Sequence, residues 1–540
     1  MNDLITQVND AIWGYVLIGA LVMCGLWFTW KTKGVQFRMV GEMIRLLTDS
    51  ATSGTSQFDE KNGSHKHISS FQAFAVSVAT RVGTGNLAGV ATAIAVGGPG
   101  AVFWMWVIAL IGAATAFVES TLGQLFKKRN KDHFIGGPAY YIEKGLHQKW
   151  MAYTFAILLT ITFGLSYNSI QSNTICGAMH EAFGWSPLAV GVVIAALALL
   201  IVFGGIHRIA NVSAVLVPLM AIGYFLLVVV VIIMNIHLIP HVLKAIITDA
   251  FGLRQGAGGM LGATIMIGVK RGLFSNEAGE GSAPNVAATA TVTHPVKQGL
   301  IQALGVFTDT LLVCSCTAFV ILLSGLYDTT ALNGIALTQA SLGLEIGAAG
   351  PTFIAIAILL FAFSSIIGNY YYGEANIRFM TSNSTVITIY RICSGGVMVM
   401  APWSASIWYG TSVTSAWPSS PPATSSPSSP WASMCSGCST TTALRNATAS
   451  RNPSSTAACC PRLKTNWSVG NNLLFHVFIL TAVLLNRIDI IHHIFFLFQR
   501  LLFRRYRAKG IIGCQDFRYR NETFLQKHAV NAEKIVFLSA

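Results

Sequence analysis

The chain contains a succession of continuous apolar stretches, each long enough to cross a lipid bilayer. A membrane-spanning helix needs about 20 mostly apolar residues, and backbone groups in lipid must be hydrogen-bonded within the segment, which favours helices. The stretches do not alternate in polarity, and they exceed the length of a barrel strand. They lie at about 11–30, 69–95, 99–126, 150–174, 187–205, 209–236, 258–290, 298–325, 351–377 and 383–402. The pattern predicts an all-α polytopic membrane protein.

The small number of charged residues excludes a soluble protein for this chain of 540 residues. Only 10% of the residues are charged, whereas an average soluble domain carries about 25%. The chain therefore cannot cover a soluble surface of this size, and a soluble multidomain enzyme is excluded. A mean hydropathy of +0.58 also excludes disorder over most of the length.

Lys and Arg lie in alternate connections between the apolar stretches. Six of them fall between 31 and 66 and six between 127 and 149, whereas residues 326–350 contain none. Cytoplasmic loops of membrane proteins are enriched in positive charge. The alternation therefore predicts a multi-pass protein of the bacterial inner membrane with its N-terminus outside.

Two of the stretches contain residues that an ordinary membrane helix avoids. The second includes RVGTGNLAG at 81–89, and the seventh includes RGLFSNEAGEGSAPN at 271–285. Glycine costs about 1 kcal/mol per helical position and a charge at mid-bilayer costs several, so we expect both helices to be broken and to face a cavity. Broken helices at matching places in two halves indicate a secondary transporter built from inverted repeats. Their positions predict a 5+5 inverted repeat preceded by one extra N-terminal helix.

The break in the second stretch predicts sites for an anion and a cation. Unwinding frees backbone N–H groups, which together with a half-helix dipole suit a carboxylate. These groups belong to Gly83, Thr84, Gly85 and Asn86. Unwinding also frees the carbonyls of Ala79 and Val82, which can bind sodium as hard oxygen ligands. The alternative is a packing interface of small residues, but such an interface needs neither Asn86 nor Arg81.

The break in the seventh stretch offers complementary groups. Ser275 and Asn276 can hydrogen-bond the ammonium and carboxylate groups of an amino acid, and Phe274 can form a wall of its side-chain pocket. Glu277 and Glu280 either face the cavity or lie near the cytoplasmic end of the span in a structural role. The sequence leaves both interpretations of the glutamates open.

Polar residues in three other stretches are further candidates. Ser364 and Ser365 either hydrogen-bond the preceding turn of their own helix or serve as a pair of sodium ligands facing the broken second stretch. Asp309, an acid in an apolar run, should face the cavity near an ion or the ammonium group, which makes it a candidate coupling acid. Gln171 is a candidate substrate contact. For Gln171 and Asn173, a satisfied polar contact between helices is an equal alternative.

One run connects these residues to a known family. GGPGAVFWMWVIALIG at 97–112 resembles the signature of the alanine/glycine:cation symporter family. Four further segments match that family in order, and the resemblance covers roughly residues 1–400. These segments are 83–89, 136–139, 271–284 and 361–372.

The resemblance implies sodium-coupled uptake of alanine or glycine by alternating access in a leucine-transporter-like fold. In that fold the first and sixth core helices are unwound at the substrate. Residues 82–86 are similar to the motif of the first core helix, and Ser364 with Ser365 resembles the sodium ligands of the eighth. The resemblance therefore favours the sodium interpretation of these serines.

An ion channel and a membrane-bound enzyme are the alternative function classes. A pair of broken helices suits an occluded site, and no pore-lining ring is evident in the sequence. The stretches contain neither His-Glu-x-x-His nor a nucleophile elbow. We therefore expect a symporter rather than an enzyme. Its partners would be a small amino acid, sodium and the lipid bilayer, with sodium as coupling ion and no cofactor.

Residues 403–540 depart from the pattern of the transmembrane domain at 1–402. Residues 404–465 are crowded with Ser, Thr and Pro, and the tenth core helix implied by the resemblance is missing. One interpretation is a disordered linker followed by a membrane-surface helix. A second is metal binding by Cys435, Cys438, Cys459 and Cys460. We favour a third, translation out of frame after about residue 400, in which case the chain could be inactive.

Most of the net charge belongs to this tail. Residues 403–540 contain 14 Lys and Arg against 4 Asp and Glu, which is +10 of the chain's +14. The remaining charge lies almost wholly in the alternate loops of the transmembrane domain. The basic balance therefore does not indicate a nucleic-acid partner.

Overall fold

A computed structural model describes residues 18–52, 68–130, 133–252 and 258–408. The first half of this part comprises α1 Ile18–Lys31, α2 Val35–Arg38, α3 Val40–Thr52, α4 Ser70–Arg81, α5 Val90–Gly97, α6 Gly100–Leu125, α7 Pro138–Leu146, α8 Lys149–Ile161, α9 Asn168–Phe183, α10 Pro187–Val202 and α11 Gly205–Met234. The second half comprises α12 Ile239–Ala250, α13 Gly258–Asn276, α14 Ala283–Ala287, α15 Pro295–Val306, α16 Ser315–Ser324, α17 Leu326–Thr329, α18 Gly334–Ile346, α19 Ala349–Met380 and α20 Ser384–Trp408. A short antiparallel hairpin, β1 Lys128–Asn130 with β2 His133–Ile135, pairs Arg129 with Phe134.

Six helical segments of the described part are long and apolar enough to cross a membrane. They are Gly100–Leu125, Lys149–Phe183, Gly205–Met234, Pro295–Ser324, Ala349–Met380 and Ser384–Ala401. Three shorter apolar helices, Ile18–Lys31, Gly85–Gly97 and Pro187–Val202, accompany them. The prediction of a helical, multi-pass membrane protein is confirmed.

The stretches at 69–95 and 258–290 are each divided into two helices. A capping box starts α4, because Ser69 Oγ accepts the Gln72 N–H (3.1 Å) and Gln72 Oε1 accepts the Ser69 N–H (2.9 Å). The helix then ends at Arg81, and the chain resumes through a π-helical turn, Gly85–Gly89, that leads into α5. In the seventh stretch, the six residues 277–282 separate α13 from α14. The two breaks fall at the glycine-rich, polar positions identified in the sequence.

Three π-helical turns interrupt the helices of the described part. They are Gly85–Gly89, Thr162–Tyr167 between α8 and α9, and Phe307–Cys314 between α15 and α16. Each supplies a residue near the two breaks, and π-turns inside α-helices are frequent at functional sites. The turn Gly85–Gly89 lies in the break predicted at 81–89, whereas the other two were not predicted, since their residues are compatible with a regular helix.

The helices pack as two groups with α4 in contact with both. In the first group α6 packs against α13, α14 and α15. In the second, α19 packs against α8, α9 and α10, and α20 packs against α9 and α10. Helix α4 contacts α14 and α15 on one side and α19 and α11 on the other. The broken helix therefore lies between the groups.

Two helices lie where the sequence suggested only connections. Helix α12 follows the sixth stretch, and Asp249 on it accepts the Gly100 N–H at the start of α6 (2.8 Å). Helix α18 lies within the charge-poor connection 326–350, and its Thr338 hydroxyl donates to the Leu87 carbonyl (3.0 Å). Their apolar faces pack on the bundle, so neither forms a free loop. The tail predictions, including the cysteine cluster, lie outside the described residues.

Candidate functional site

The first break leaves the carbonyls at the end of α4 without their helical partners. In a continuous helix the Ala79 carbonyl would accept the Gly83 N–H, but Gly83 donates instead to Asn86 Oδ1 (2.9 Å). The Thr84 N–H donates to Gln171 Oε1 on α9 (3.1 Å). Two of the four predicted anion-binding amides are thus capped by side chains, and the helix end presents free oxygens to its neighbours.

The two serines of α19 lie against these freed carbonyls. The Ser365 hydroxyl is 2.8 Å from the Ala79 oxygen and 3.4 Å from the Val82 oxygen. The Ser364 hydroxyl is 3.4 Å from the Ala79 oxygen. Both hydroxyls are also within hydrogen-bonding distance of the Phe361 carbonyl in the preceding turn. Four oxygens from two helices therefore converge, and the back-bonding alternative holds at the same time.

The second break is held open by unusual backbone conformations and a buried acid. Glu277 has a positive φ of 53°, followed by Gly279 at 89° and Gly281 at 74°. A non-glycine residue in this region is strained. The Gly279 and Gly281 N–H groups donate to Glu119 on α6, at 3.4 and 3.2 Å. Glu119 is fully buried and satisfies the amides that unwinding exposes.

Asp309 connects the two breaks. Its Oδ1 accepts the Asn86 side-chain amide (2.7 Å), and its Oδ2 accepts the Ser275 hydroxyl (2.9 Å). Thr310 also donates to Oδ2 (2.8 Å). The acid is completely buried and has three donors, which is the arrangement that stabilises a carboxylate inside a protein. Asp309 therefore faces the space between the broken helices.

Phe274 and Asn276 frame the remaining side of this space. A side chain added to Gly85 would lie 3.2 Å from the Phe274 ring, whose centroid is 5.8 Å from that of Tyr167. Asn276 Oδ1 accepts the Ala278 N–H (3.0 Å) and caps the end of α13. Its amide nitrogen and the Thr84 hydroxyl are buried without a hydrogen-bond partner among the described residues. Buried polar atoms of this kind are rare and point to a binding function.

A polar network adjoins the breaks on the side of Glu277. The Thr80 and Tyr372 hydroxyls are 2.8 Å apart, and Thr80 lies 3.5 Å from Glu277 Oε2. Ser282 donates to the same carboxylate oxygen (2.6 Å). The network joins α4, the second break and α19, so it connects the two helix groups. Glu280 is also buried, and its Oε1 has no hydrogen-bond partner among the described residues.

Most of the sequence candidates come together around the two breaks. Gln171 contacts the first break, whereas Asn173 donates to the Ala401 carbonyl on α20 (3.0 Å) and thus forms a contact between helices. Asn86, Ser275, Asn276, Asp309, Ser364 and Ser365 are at most 1% exposed, so these side chains are shielded from solvent.

Three residues of this region were not predicted from the sequence. They are Glu119, Tyr372 and Cys314. Glu119 carried the same signal as Asp309, a lone acid within an apolar stretch, and could have been identified. Tyr372 and Cys314 are ordinary core residues by composition, and only their contacts distinguish them.

The chain matches the sodium:alanine symporter family over residues 1–409. A probable sodium/glutamine symporter of Bacillus subtilis, GlnT, is 51% identical over 400 residues, covering 74% of this chain and 81% of GlnT. The amino-acid carrier protein AlsT of the same organism is 52% identical, covering 72% of this chain and 81% of AlsT. The sodium/alanine symporter AgcS of Methanococcus maripaludis is 36% identical, covering 75% and 88%.

Among solved structures, a manganese transporter of Eremococcus coleocola is 15% identical, with a TM-score of 0.45. The comparison covers 82% of this chain and 91% of that one. The family and the named relatives are transporters rather than enzymes. The chain belongs to the sodium:alanine symporter family.

Proposed function

We propose that the chain imports a small neutral amino acid, alanine or glycine, together with sodium. The observation that carries this proposal is the meeting of two broken helices at Asp309, beside carbonyl oxygens faced by Ser364 and Ser365. Anionic and cationic sites built from half-helix ends are typical of secondary transporters. Membership of the sodium:alanine symporter family agrees with it.

The arrangement of the helices supports a 5+5 inverted repeat. The breaks follow α4 and α13, which occupy the second and seventh apolar stretches and therefore equivalent places in two five-helix halves. Helix α1 precedes the first half as the extra helix. The broken helices pack with α6 and α15 in one group, while α8 to α10, α19 and α20 form the other. Relative movement of two such groups is the basis of alternating access.

In this proposal sodium binds to the carbonyls of Ala79 and Val82 and to the hydroxyls of Ser364 and Ser365. These are hard oxygen ligands from two helices, α4 between the groups and α19 in the second group. A hydroxyl that now donates to a carbonyl turns its lone pair toward the ion when the cation enters. Sodium would thus connect α4 to α19 and favour the conformation that accepts the amino acid.

The amino acid binds between the breaks. Its ammonium group faces the Asp309 carboxylate, and its carboxylate faces Gly83 to Asn86 together with Gln171, Ser275 and Asn276. In this proposal the carboxylate replaces the Asn86 and Gln171 oxygens that now accept the N–H groups of Gly83 and Thr84. GlnT is described as a glutamine symporter and AgcS as an alanine symporter, whereas the description of AlsT specifies no particular amino acid. The close approach of Phe274 to Gly85 leaves little room for a long side chain and favours alanine or glycine.

Uptake into proteoliposomes tests the proposal. Labelled alanine should accumulate when an inward sodium gradient is imposed, glycine should compete, and glutamine should compete poorly. A potassium gradient of the same size is the control. Accumulation without sodium would refute the coupling, and equal competition by glutamine would refute the substrate class.

We also propose that the transporter domain is 1–402, with the N-terminus outside, and that residues 403–540 are out of frame. The family match ends at 409, and about a fifth of GlnT lies outside the alignment. Both observations support a departure near residue 400. Resequencing the gene in independent isolates is the test. An uninterrupted reading frame shared by all of them would refute the proposal that residues 403–540 are out of frame.

A further inference from the structure

The side chain of Cys314 completes a ring of hydrogen bonds between the two breaks. Its sulfur is 3.2 Å from the Asn86 amide nitrogen and 3.0 Å from the Ser275 hydroxyl. Asn86 and Ser275 each also bind one oxygen of Asp309. The four side chains are therefore linked in the order Asp309, Asn86, Cys314, Ser275 and back to Asp309.

The donors and acceptors of this ring can all be assigned. One N–H of the Asn86 amide donates to Asp309 and the other to the sulfur. The Ser275 hydroxyl has one proton, which it donates to Asp309, so the thiol S–H must donate to the Ser275 oxygen. A thiol is a weak donor and a weak acceptor, and both bonds at the sulfur are consequently the weak links of the ring.

The π-helical turn Phe307–Cys314 explains how Asp309 and Cys314 reach the same partners. In an α-helix, positions five apart are rotated by about 140° around the axis. The i to i+5 pattern of a π-helix brings them back to nearly the same side. The turn therefore presents a carboxylate and a thiol together to the space between the breaks, where Cys314 is 3% exposed.

We propose that Cys314 is a positioning residue whose thiol occupies the place of a substrate group and releases Asn86 and Ser275 when the amino acid binds. The inference rests on the proposed function, because it takes this space as the amino-acid site. A weak partner keeps both polar groups paired in the empty site at little cost to binding. A side chain at position 314 that hydrogen-bonds more strongly would compete with the substrate for Asn86 and Ser275. A side chain that forms no hydrogen bond would leave Asn86 and Ser275 available to the substrate.

This competition predicts effects of opposite sign for two substitutions. Cys314→Ser places a hydroxyl in the ring and should raise the Kd for labelled alanine in saturating sodium by about three- to tenfold, since each tenfold change reflects one good hydrogen bond. Cys314→Ala removes the competitor and should lower the Kd by about two- to fivefold. A purely structural role would weaken binding in both variants. Binding is measured on the full chain in detergent, with folding checked by size-exclusion chromatography.

The matched controls are Cys316→Ser and Cys316→Ala, at a buried cysteine two residues further along, and neither should change the Kd. As a second measurement, alkylation of Cys314 by N-ethylmaleimide, mapped by mass spectrometry, should slow in the presence of sodium and alanine. Equal changes in the Kd for alanine in Cys314→Ser and Cys314→Ala would overturn the inference. An alkylation rate that does not depend on alanine would also overturn it. If neither the unaltered chain nor a chain whose residues 403–540 are replaced by the C-terminal segment of AlsT binds an amino acid in sodium, the proposed function itself fails, which is a distinct outcome.

Discussion

At the scale of single residues, polar side chains in apolar surroundings are the most informative part of this sequence. Asp309 was identifiable because one acid stands among Leu, Val and Phe, and a buried acid requires partners. Its partners were not identifiable, because Asn86 and Ser275 lie more than 30 residues away and only the fold brings them together. The same reason explains why nothing in the sequence marked Cys314 as part of this region.

Replacing Asn86 by Ala should abolish sodium-dependent alanine uptake while membrane insertion persists. The change leaves one oxygen of buried Asp309 and the Gly83 N–H without their partner, a loss of about 1–3 kcal/mol for each unsatisfied group. Asn173→Ala, which removes an amide from a helix contact outside the site, is the matched control. Uptake by Asn86→Ala at the level of this control would remove Asn86 from the site.

Replacing Ser365 by Ala should raise the sodium concentration for half-maximal uptake by about tenfold or more, the equivalent of 1.4 kcal/mol. The reason is that the Ser365 hydroxyl is the proposed sodium ligand nearest to the Ala79 carbonyl. The maximal uptake rate at saturating sodium should change little. The control is Ser172→Ala, because Ser172 is also buried and donates to a backbone carbonyl, that of Met398 (2.8 Å). An unchanged sodium dependence would exclude Ser365 as a ligand.

At the scale of helices, glycine content located both breaks, but hydropathy could not reveal the internal geometry of the spans. The breaks after Arg81 and Asn276 fall where glycine and charge make a continuous helix costly. The π-turns Thr162–Tyr167 and Phe307–Cys314 have ordinary residues, so no local signal marks them. Helix α18 was missed because a connection without Lys or Arg and a short helix packed on the bundle have similar compositions.

The substitution Gly83→Ala, which adds a methyl group, tests whether binding requires the close packing at the first break. A side chain there would collide with the Ser365 hydroxyl and the Gln171 amide, so Gly83→Ala should abolish both sodium and alanine binding. Gly177→Ala in α9 is the control, because a side chain there meets nothing within 4 Å and alanine favours the helix by about 1 kcal/mol. Calorimetric binding measurements on both variants distinguish a damaged site from a destabilised helix. Normal binding by Gly83→Ala would show that the close approach is not required.

At the scale of the whole molecule, the sequence predicted a helical multi-pass protein of this family, and the structure and the family match confirm it. The result rests on the length and continuity of the apolar stretches, which the membrane itself imposes. The relative placement of the two helix groups depends on contacts between distant segments, such as Thr80 with Tyr372. Such contacts leave no trace in the local sequence.

Replacing residues 403–540 by the corresponding C-terminal segment of AlsT should increase alanine uptake several-fold. The family match ends at 409, and a missing core helix would leave apolar faces of its neighbours without a protein partner. The control is the original chain with the AlsT segment added after residue 540, which supplies the same residues in the wrong place. Equal uptake by the exchanged and original chains would indicate that the tail is part of a working transporter.

The π-helical turn Phe307–Cys314 has a consequence for how this site can change over generations. The wide turn accommodates one residue more than a regular helical turn does. Deleting one residue between Asp309 and Cys314 would restore regular helical pairing with the two residues four apart, about 40° of rotation, so both would still face the same side. Converting the turn to a regular helix without a deletion would instead place them about 140° apart. The ring therefore depends on the number of residues in this turn and on its hydrogen-bond pairing together. A relative that has a regular helix here keeps the two side chains on one face only if it also lacks the extra residue.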